Sequence, residues 1–152
     1  MAFRETINGI LDGIFAGNYS GNAPVLLMLG GFKFSLNTAV FDELQRSTSY
    51  NWPAQQRIGK FDALQFVGPG EDRITLPGVI YPDFRGGAGQ LDQLRDIASG
   101  GRPLRLVAST GAILGTWVIE SIEETQSAFK QDGSPRKQTF TLRLRKFGDD
   151  EI

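Results

Sequence analysis

The chain has 152 residues, of which 40% are hydrophobic and 22% charged, with 11 Phe, 2 Trp and 3 Tyr. That is enough apolar material for one folded domain with its own core, and it is not the composition of a disordered chain. Its 16 basic and 17 acidic side chains leave a net charge of -1, so there is no electrostatic footprint for sequence-specific nucleic-acid recognition or for an anionic membrane surface. With no Cys and no His, disulfides, thiolate nucleophiles, Ser-His-Asp triads and His- or Cys-ligated metals are excluded, and any chemistry would fall to carboxylates, Lys, Tyr or Ser-Lys pairs.

In chain order, residues 1–24 read as an arm distinct from a body at 25–152. Phe3, Ile7, Ile10, Leu11, Ile14 and Phe15 recur at helical spacing and form one stripe, with Arg4, Glu5, Asn8 and Asp12 off it. Gly9 and Gly13 weaken this amphipathic helix by roughly 1 kcal/mol each relative to Ala, so it needs a surface to lie on. Residues 17–24 are rich in turn formers and read as a connector. The following apolar run, Val25–Leu29, is far shorter than the roughly 20 residues that span a bilayer, and neither a signal peptide nor a membrane span is expected.

The body reads mainly as strands. Val25–Leu29, a Gly30-Gly31 turn and 32–36, where Phe32, Phe34 and Leu36 alternate with polar residues, predict a hairpin. Residues 41–52 carry mixed signals, resolved here as mostly strand ended by Pro53. A strand at 63–67, a Gly68-Pro69-Gly70 turn and a strand at 73–81 follow, with Pro77 pointing to an edge position or a bulge. Leu91, Leu94, Ile97 and Ala98 predict a helix over Gln90–Ser99 stopped by Gly100-Gly101. Strands at Leu104–Ala108, 112–124 and 137–147 complete the series, the acidic residues Glu120, Glu123 and Glu124 of one strand standing beside the basic face of the next. The expected fold is α+β: a mainly antiparallel β-sandwich or small barrel with one short packed helix and the N-terminal amphipathic arm.

The candidate sites are weak as chemistry. The run Arg85-Gly86-Gly87-Ala88-Gly89 lacks the Lys-Ser/Thr of a phosphate loop and reads as a tight turn. Neighbours Glu123 and Glu124 point to opposite faces of a strand and cannot act as an acid–base pair with each other. Arg136, Lys137, Arg143, Arg145 and Lys146 form a basic stripe, taken as a sheet face that meets another subunit, and Trp52 and Trp117 are core or interface aromatics. No catalytic, metal or cofactor-binding residue is assigned, and no cofactor is expected.

A longer series is distinctive: Phe32-x-Phe34, Ser47-Thr48-x-Tyr50-x-Trp52, Phe66-x-Gly68-Pro69-Gly70-x-Asp72, Gly78-x-Ile80-Tyr81-Pro82-x-Phe84-x-Gly86-Gly87, Trp117-Val118-Ile119-Glu120 and Phe140-x-Leu142-x-Leu144. In this order the motifs resemble the tail protein U (GpU) family of peduovirus-type contractile phages, whose relatives occur in R-type tailocins. The resemblance runs over about residues 26–150 and departs at the N-terminus, where family members often begin close to the Phe32 strand. It implies a structural, non-enzymatic component of a virion tail or tailocin particle, assembled in the bacterial host cytoplasm, with a tail-tube-like β body. It further implies an adaptor ring at the tube tip between tail tube and baseplate hub. The expected partners are therefore copies of itself in a hexameric ring, the baseplate hub protein, and the tail tube or neighbouring baseplate proteins, with no membrane and no sequence-specific nucleic acid.

Within that reading the stripe residues of the arm are interface anchors, and Tyr81, Asp83, Phe84 and Arg85 form a second interface on the body. A tail terminator and an assembly factor are alternatives, followed by a carbohydrate-binding sandwich using Trp52 and Tyr81 as stacking platforms and, last, a carboxylate hydrolase.

Overall fold

The computed structural model describes residues 25–35, 39–82 and 89–148. The expected anchors of the arm, Phe3, Ile7, Ile10, Leu11, Ile14 and Phe15, lie outside the described residues, as do Asp83, Phe84 and Arg85 of the second expected interface.

The strands are β1 (Val25–Leu29), β2 (Phe32–Ser35), β3 (Val40–Phe41), β4 (Gln45–Asn51), β5 (Ala54–Gln55), β6 (Ala63–Leu64), β7 (Gly68–Ile80), β8 (Leu104–Ala108), β9 (Ile113–Phe129) and β10 (Pro135–Lys146), with one helix, α1 (Gln90–Ser99). Eight strands make one antiparallel sheet in the order β2-β1-β8-β9-β10-β7-β3, β4 also pairing with β7, while β5 and β6 pair only with each other. The sheet curls until its ends meet: the ring of Phe34 on β2 lies edge-on to Phe41 on β3, with centroids 6.1 Å apart. This is the expected antiparallel β fold with one short helix, in its barrel-like form.

Alternation sets the inner face. Leu142 on β10 stands opposite Leu76 on β7 and Ile122 on β9, and Leu144 stands opposite Ile74 and Ile119. Leu76, Leu142, Leu144, Phe34 and Trp117 are fully buried, and each such side chain contributes about 1.5–3 kcal/mol of hydrophobic stabilisation. Trp117 donates its indole N–H to the Leu114 carbonyl over 3.1 Å, so its polar atom is satisfied inside the core. Helix α1 starts from Gly89, whose φ of 94° only glycine adopts without strain, and lays Leu91 and Leu94 into the same core.

The polar side chains that border the core are paired. Glu124 on β9 turns inward and accepts hydrogen bonds from Arg95 of α1 at 2.5 Å and from Gln138 of β10 at 3.0 Å. Its neighbour Glu123 turns outward to Arg143, as the alternation requires. Arg46 grips Asp72 through two hydrogen bonds of 2.9 and 2.5 Å and lies 5.5 Å over the Trp117 ring.

The hydrogen-bonded Arg46 guanidinium holds the Asp72 carboxyl below its usual range. Burial alone would push Glu124 up, but hydrogen bonds from Gln126, Arg95 and Gln138 and the charge of Arg95 outweigh it and leave Glu124 lowered as well. Groups with lowered folded-state pKa add stability that is complete above the unfolded-state value of about 4 and is lost as pH falls through the folded-state value. The melting temperature should therefore stay nearly level from about pH 7 to 5 and fall below about pH 4. The pair Asp72→Asn and Glu124→Gln should flatten that acid limb in a thermal-denaturation series, and an equally steep limb in the variant would contradict the assignment.

One expectation fails and another holds, each for a local reason. Gly68-Pro69-Gly70 is not a turn but the opening of β7, paired with residues 50–51 of β4. Pro77 does sit at an irregularity of the pairing: it pairs with Thr141 on one side, and on the other, where residues 42–44 face only residues 76–77, its carbonyl accepts from Asp42 N at 2.8 Å. In a strand the N–H and C=O of one residue project to the same side, so the missing N–H of Pro77 faces the break between β3 and β4, where no strand acceptor is lost.

Candidate functional site

Beyond the end of β10, strands β4 and β7 continue as a two-stranded ribbon. Asn51 pairs with Gly68, Val67 N donates to Asn51 O at 3.0 Å, and Gln65 N donates to Pro53 O at 3.2 Å. Ala54 and Gln55 then pair with Leu64 and Ala63, and Gly59, at φ 67°, turns the chain. The tip is held by Arg57, whose guanidinium donates twice to the Phe61 carbonyl at 3.0 and 2.7 Å. Residues 45–75 are thus one long hairpin whose outer half projects free of the sheet.

Its large apolar side chains are bare. Ile58 and Phe61 are 104% and 96% exposed, and Trp52, Leu64 and Phe66 are more than half exposed. Trp52 and Phe66 share a ribbon face, with ring centroids 4.9 Å apart; residues 54 and 64 fall on the same face by alternation, and the opposite face carries Gln55 and Gln65. A two-stranded ribbon alone is marginal in water, and a contiguous apolar surface of this kind marks a site of association.

The foot of the ribbon is built with care for direction. Between Thr48 and Tyr50 the register slips against β7, with Ser49 facing the two residues Gly70 and Glu71. Ser49 Oγ accepts from Glu71 N at 2.7 Å and donates to Glu71 O at 3.1 Å, filling the gap in the ladder. A side chain at Gly70 would lie 2.5 Å from Ser49 Oγ, so any larger residue there would push the Ser49 hydroxyl off Glu71. Bulges bend and twist a ribbon, and this one aims the hairpin.

At the opposite end of the sheet the β9–β10 hairpin projects in the other direction, past Ile80 of β7. Its tip is polar: Lys130 N donates to Ser134 O, Gly133 N to Lys130 O, and Asp132 accepts from both the amide and the hydroxyl of Ser134. The two tips therefore differ: exposed Ile58 and Phe61 stand among charged residues at one, and the hydrogen-bonded Asp132 and Ser134 form the other, with Phe129 58% exposed beside them.

The expected site residues divide accordingly. Tyr81 is 52% exposed and follows β7 at the end from which the β9–β10 hairpin projects, so it is a surface residue. Trp52 lies beyond the other end of the 13-residue β7, about 40 Å away at 3.3 Å per residue; the two aromatics cannot form one carbohydrate platform. Of the two tryptophans, Trp117 belongs to the core and Trp52 to the hairpin. Within the basic stripe, Arg143 pairs with Glu123 and Arg145 with Glu71 and Glu120, so much of its charge is neutralised within the chain. Among the described residues no group of three acidic side chains is placed to hold a metal ion, and no helix is long and apolar enough to cross a membrane.

The architecture is a curled antiparallel sheet with a hairpin projecting at each end and one helix packed on its core side. In fold it matches a Dit protein of phage SPP1, described as a hub of the adsorption apparatus, with a TM-score of 0.61, 10% identity, and coverage of 82% of this chain and 49% of that one. It also matches a chain of a native gene transfer agent virion, with a TM-score of 0.52, 14% identity, and coverage of 86% and 95%. In sequence, residues 30–149 match the Phage P2 GpU family, and the chain belongs to that family; it is a structural protein of the phage-tail class. A protein of Halomonas phage phiHAP-1 named "Probable tape measure protein" is 32% identical over 148 residues, 96% of this chain, although the chain spans only 17% of that protein's length.

Proposed function

We propose that this protein forms an adaptor ring in a contractile phage tail or tailocin, placed at the tube tip between tail tube and baseplate hub. The observation that carries the reading is the projecting hairpin, whose bare Ile58, Phe61, Trp52 and Phe66 require a protein partner to leave water. The unlike hairpins support an adaptor rather than a repeating tube unit: two tips of different chemistry favour two different neighbours. The match to a stretch of a much longer protein named for the tape measure supports a place within the tail.

The stripe of the N-terminal segment, from Phe3 to Phe15, and the surface around Tyr81 are further contacts in this proposal. The reading is tested by counting. Quantitative mass spectrometry of purified particles should give roughly six copies per particle against the tube and hub proteins, as one closed cyclic ring requires. Absence from finished particles would instead indicate an assembly factor.

A further inference from the structure

The apolar face of the ribbon and the N-terminal stripe belong to the same end of the molecule. Val25 opens β1, and across the sheet Leu27 pairs with Ala108, Val107 with Ile113, Trp117 with Lys146 and Arg145 with Arg73. Followed strand by strand, these pairs carry the start of β1 to the start of β7, where the hairpin leaves the sheet. The chain therefore enters the fold at the end from which the ribbon projects. Because the sheet curls until β2 meets β3, only β2 separates β1 from the edge that β3 and β4 form, a distance of about 15 Å at the usual strand spacing. The connector at residues 17–24 reaches up to about 26 Å when extended.

The ribbon also turns its apolar face the right way. Arg46 pairs with the buried Ile74 and lies over the Trp117 ring, so it stands on the core side of β4. The extra residue at the Ser49 bulge belongs to β7, and alternation along β4 carries the core side from Arg46 through Thr48 and Tyr50 to Trp52. Tyr50, Trp52, Leu64 and Phe66 thus continue the inner face beyond the mouth of the curled sheet, each more than half exposed.

We propose that residues 3–15 of the same chain, as the amphipathic helix, lie across this mouth and pack the stripe from Phe3 to Phe15 on the Trp52 and Phe66 face of the ribbon. The contact is made within one chain, goes beyond the ring reading, and leaves Ile58 and Phe61 at the tip for the neighbouring protein. Each element supplies what the other lacks: a two-stranded ribbon is marginal in water unless it packs against a helix, and a helix of this length containing Gly9 and Gly13 is marginal without a surface. Their dimensions agree. The helix is about 20 Å long and 10 Å across, and the ribbon from Asn51 to Gly59 is about 26 Å long and two strands, roughly 10 Å, wide. The charges are small and opposite: Arg4, Glu5 and Asp12 give residues 1–24 a net -1, and Arg57, Lys60 and Asp62 give residues 53–67 a net +1.

The two tryptophans make the test direct, because Trp117 is fully buried in the core and Trp52 stands on the ribbon. In the full-length chain, diluted until light scattering shows a monomer, acrylamide should quench neither tryptophan readily. Ile7→Asp together with Ile14→Asp should uncover Trp52, so that the emission of one tryptophan of the two becomes quenchable while Trp117 stays shielded and reports an intact body. Ready quenching of Trp52 in the unmodified chain, unchanged in the variant, would overturn the proposal. Should the variant unfold, seen as loss of Trp117 shielding, cross-linking decides, since the chain has no cysteine of its own. A full-length chain carrying both Ile10→Cys and Leu64→Cys, treated with a short bis-maleimide, should give an internally bridged monomer at a yield independent of protein concentration. An equal mixture of the two single-cysteine chains should give no cross-linked dimer. A dimer from the mixture would put the stripe on a neighbouring copy, and no bridge in the double variant would take it off the ribbon; either result overturns the proposal.

Discussion

Replacing Ile58 and Phe61 together by Asp leaves the isolated protein folded and removes it from the particle. Both side chains are bare in the single copy, and substitutions at such positions change folding stability by no more than about 0.5 kcal/mol, so the melting temperature should move by a few degrees at most. In an assembled particle the same residues would be central apolar anchors, whose loss costs about 2–4 kcal/mol each, and Asp adds the cost of burying an unpaired charge. Incorporation should therefore fall by at least about 100-fold, read as the amount of this protein retained in purified particles. Normal incorporation would show that the hairpin has no role in assembly.

Trp117→Ala gives the opposite pattern, a loss of the fold itself. Trp117 is fully buried, its indole N–H is bonded to Leu114 O, and Arg46 lies over its ring. Truncating a buried Trp costs about 3–5 kcal/mol, a large part of the 5–15 kcal/mol that holds a domain together. A drop in melting temperature of about 10 °C or more should follow, with poor recovery of soluble protein. A drop of only a degree or two would mean that the ring is not part of a close-packed core.

Much of the body was legible because its cause is local. Phe140, Leu142 and Leu144 alternate with Thr139, Thr141 and Arg143, and alternation of that length admits only a strand with one buried face. Leu91, Leu94 and Ile97 similarly require the helix. The opposite fates of Glu123 and Glu124 also follow from the two-residue period.

Strand character within the hairpin at 45–75 was legible, but its projection from the sheet was not. Its apolar residues, Trp52, Ile58, Phe61, Leu64 and Phe66, look like core residues to any pattern argument, since composition does not say that a side chain will be left in water for a partner. Gly68-Pro69-Gly70 looks like a turn because glycine and proline usually mark one. Here Gly70 leaves room for the Ser49 hydroxyl in a bulge, and Pro69 opens a strand whose edge is already irregular. The one local signal was Ile58-Gly59-Lys60, a glycine between long side chains with no turn partner elsewhere.

The most direct test of the central claim is a cryo-electron microscopy reconstruction of the purified particle. The account predicts one ring of this fold at the tube tip, with the hairpin tip of each copy buried against protein. Hairpins extending into solvent, or no density for this fold at either end of the tube, would contradict it.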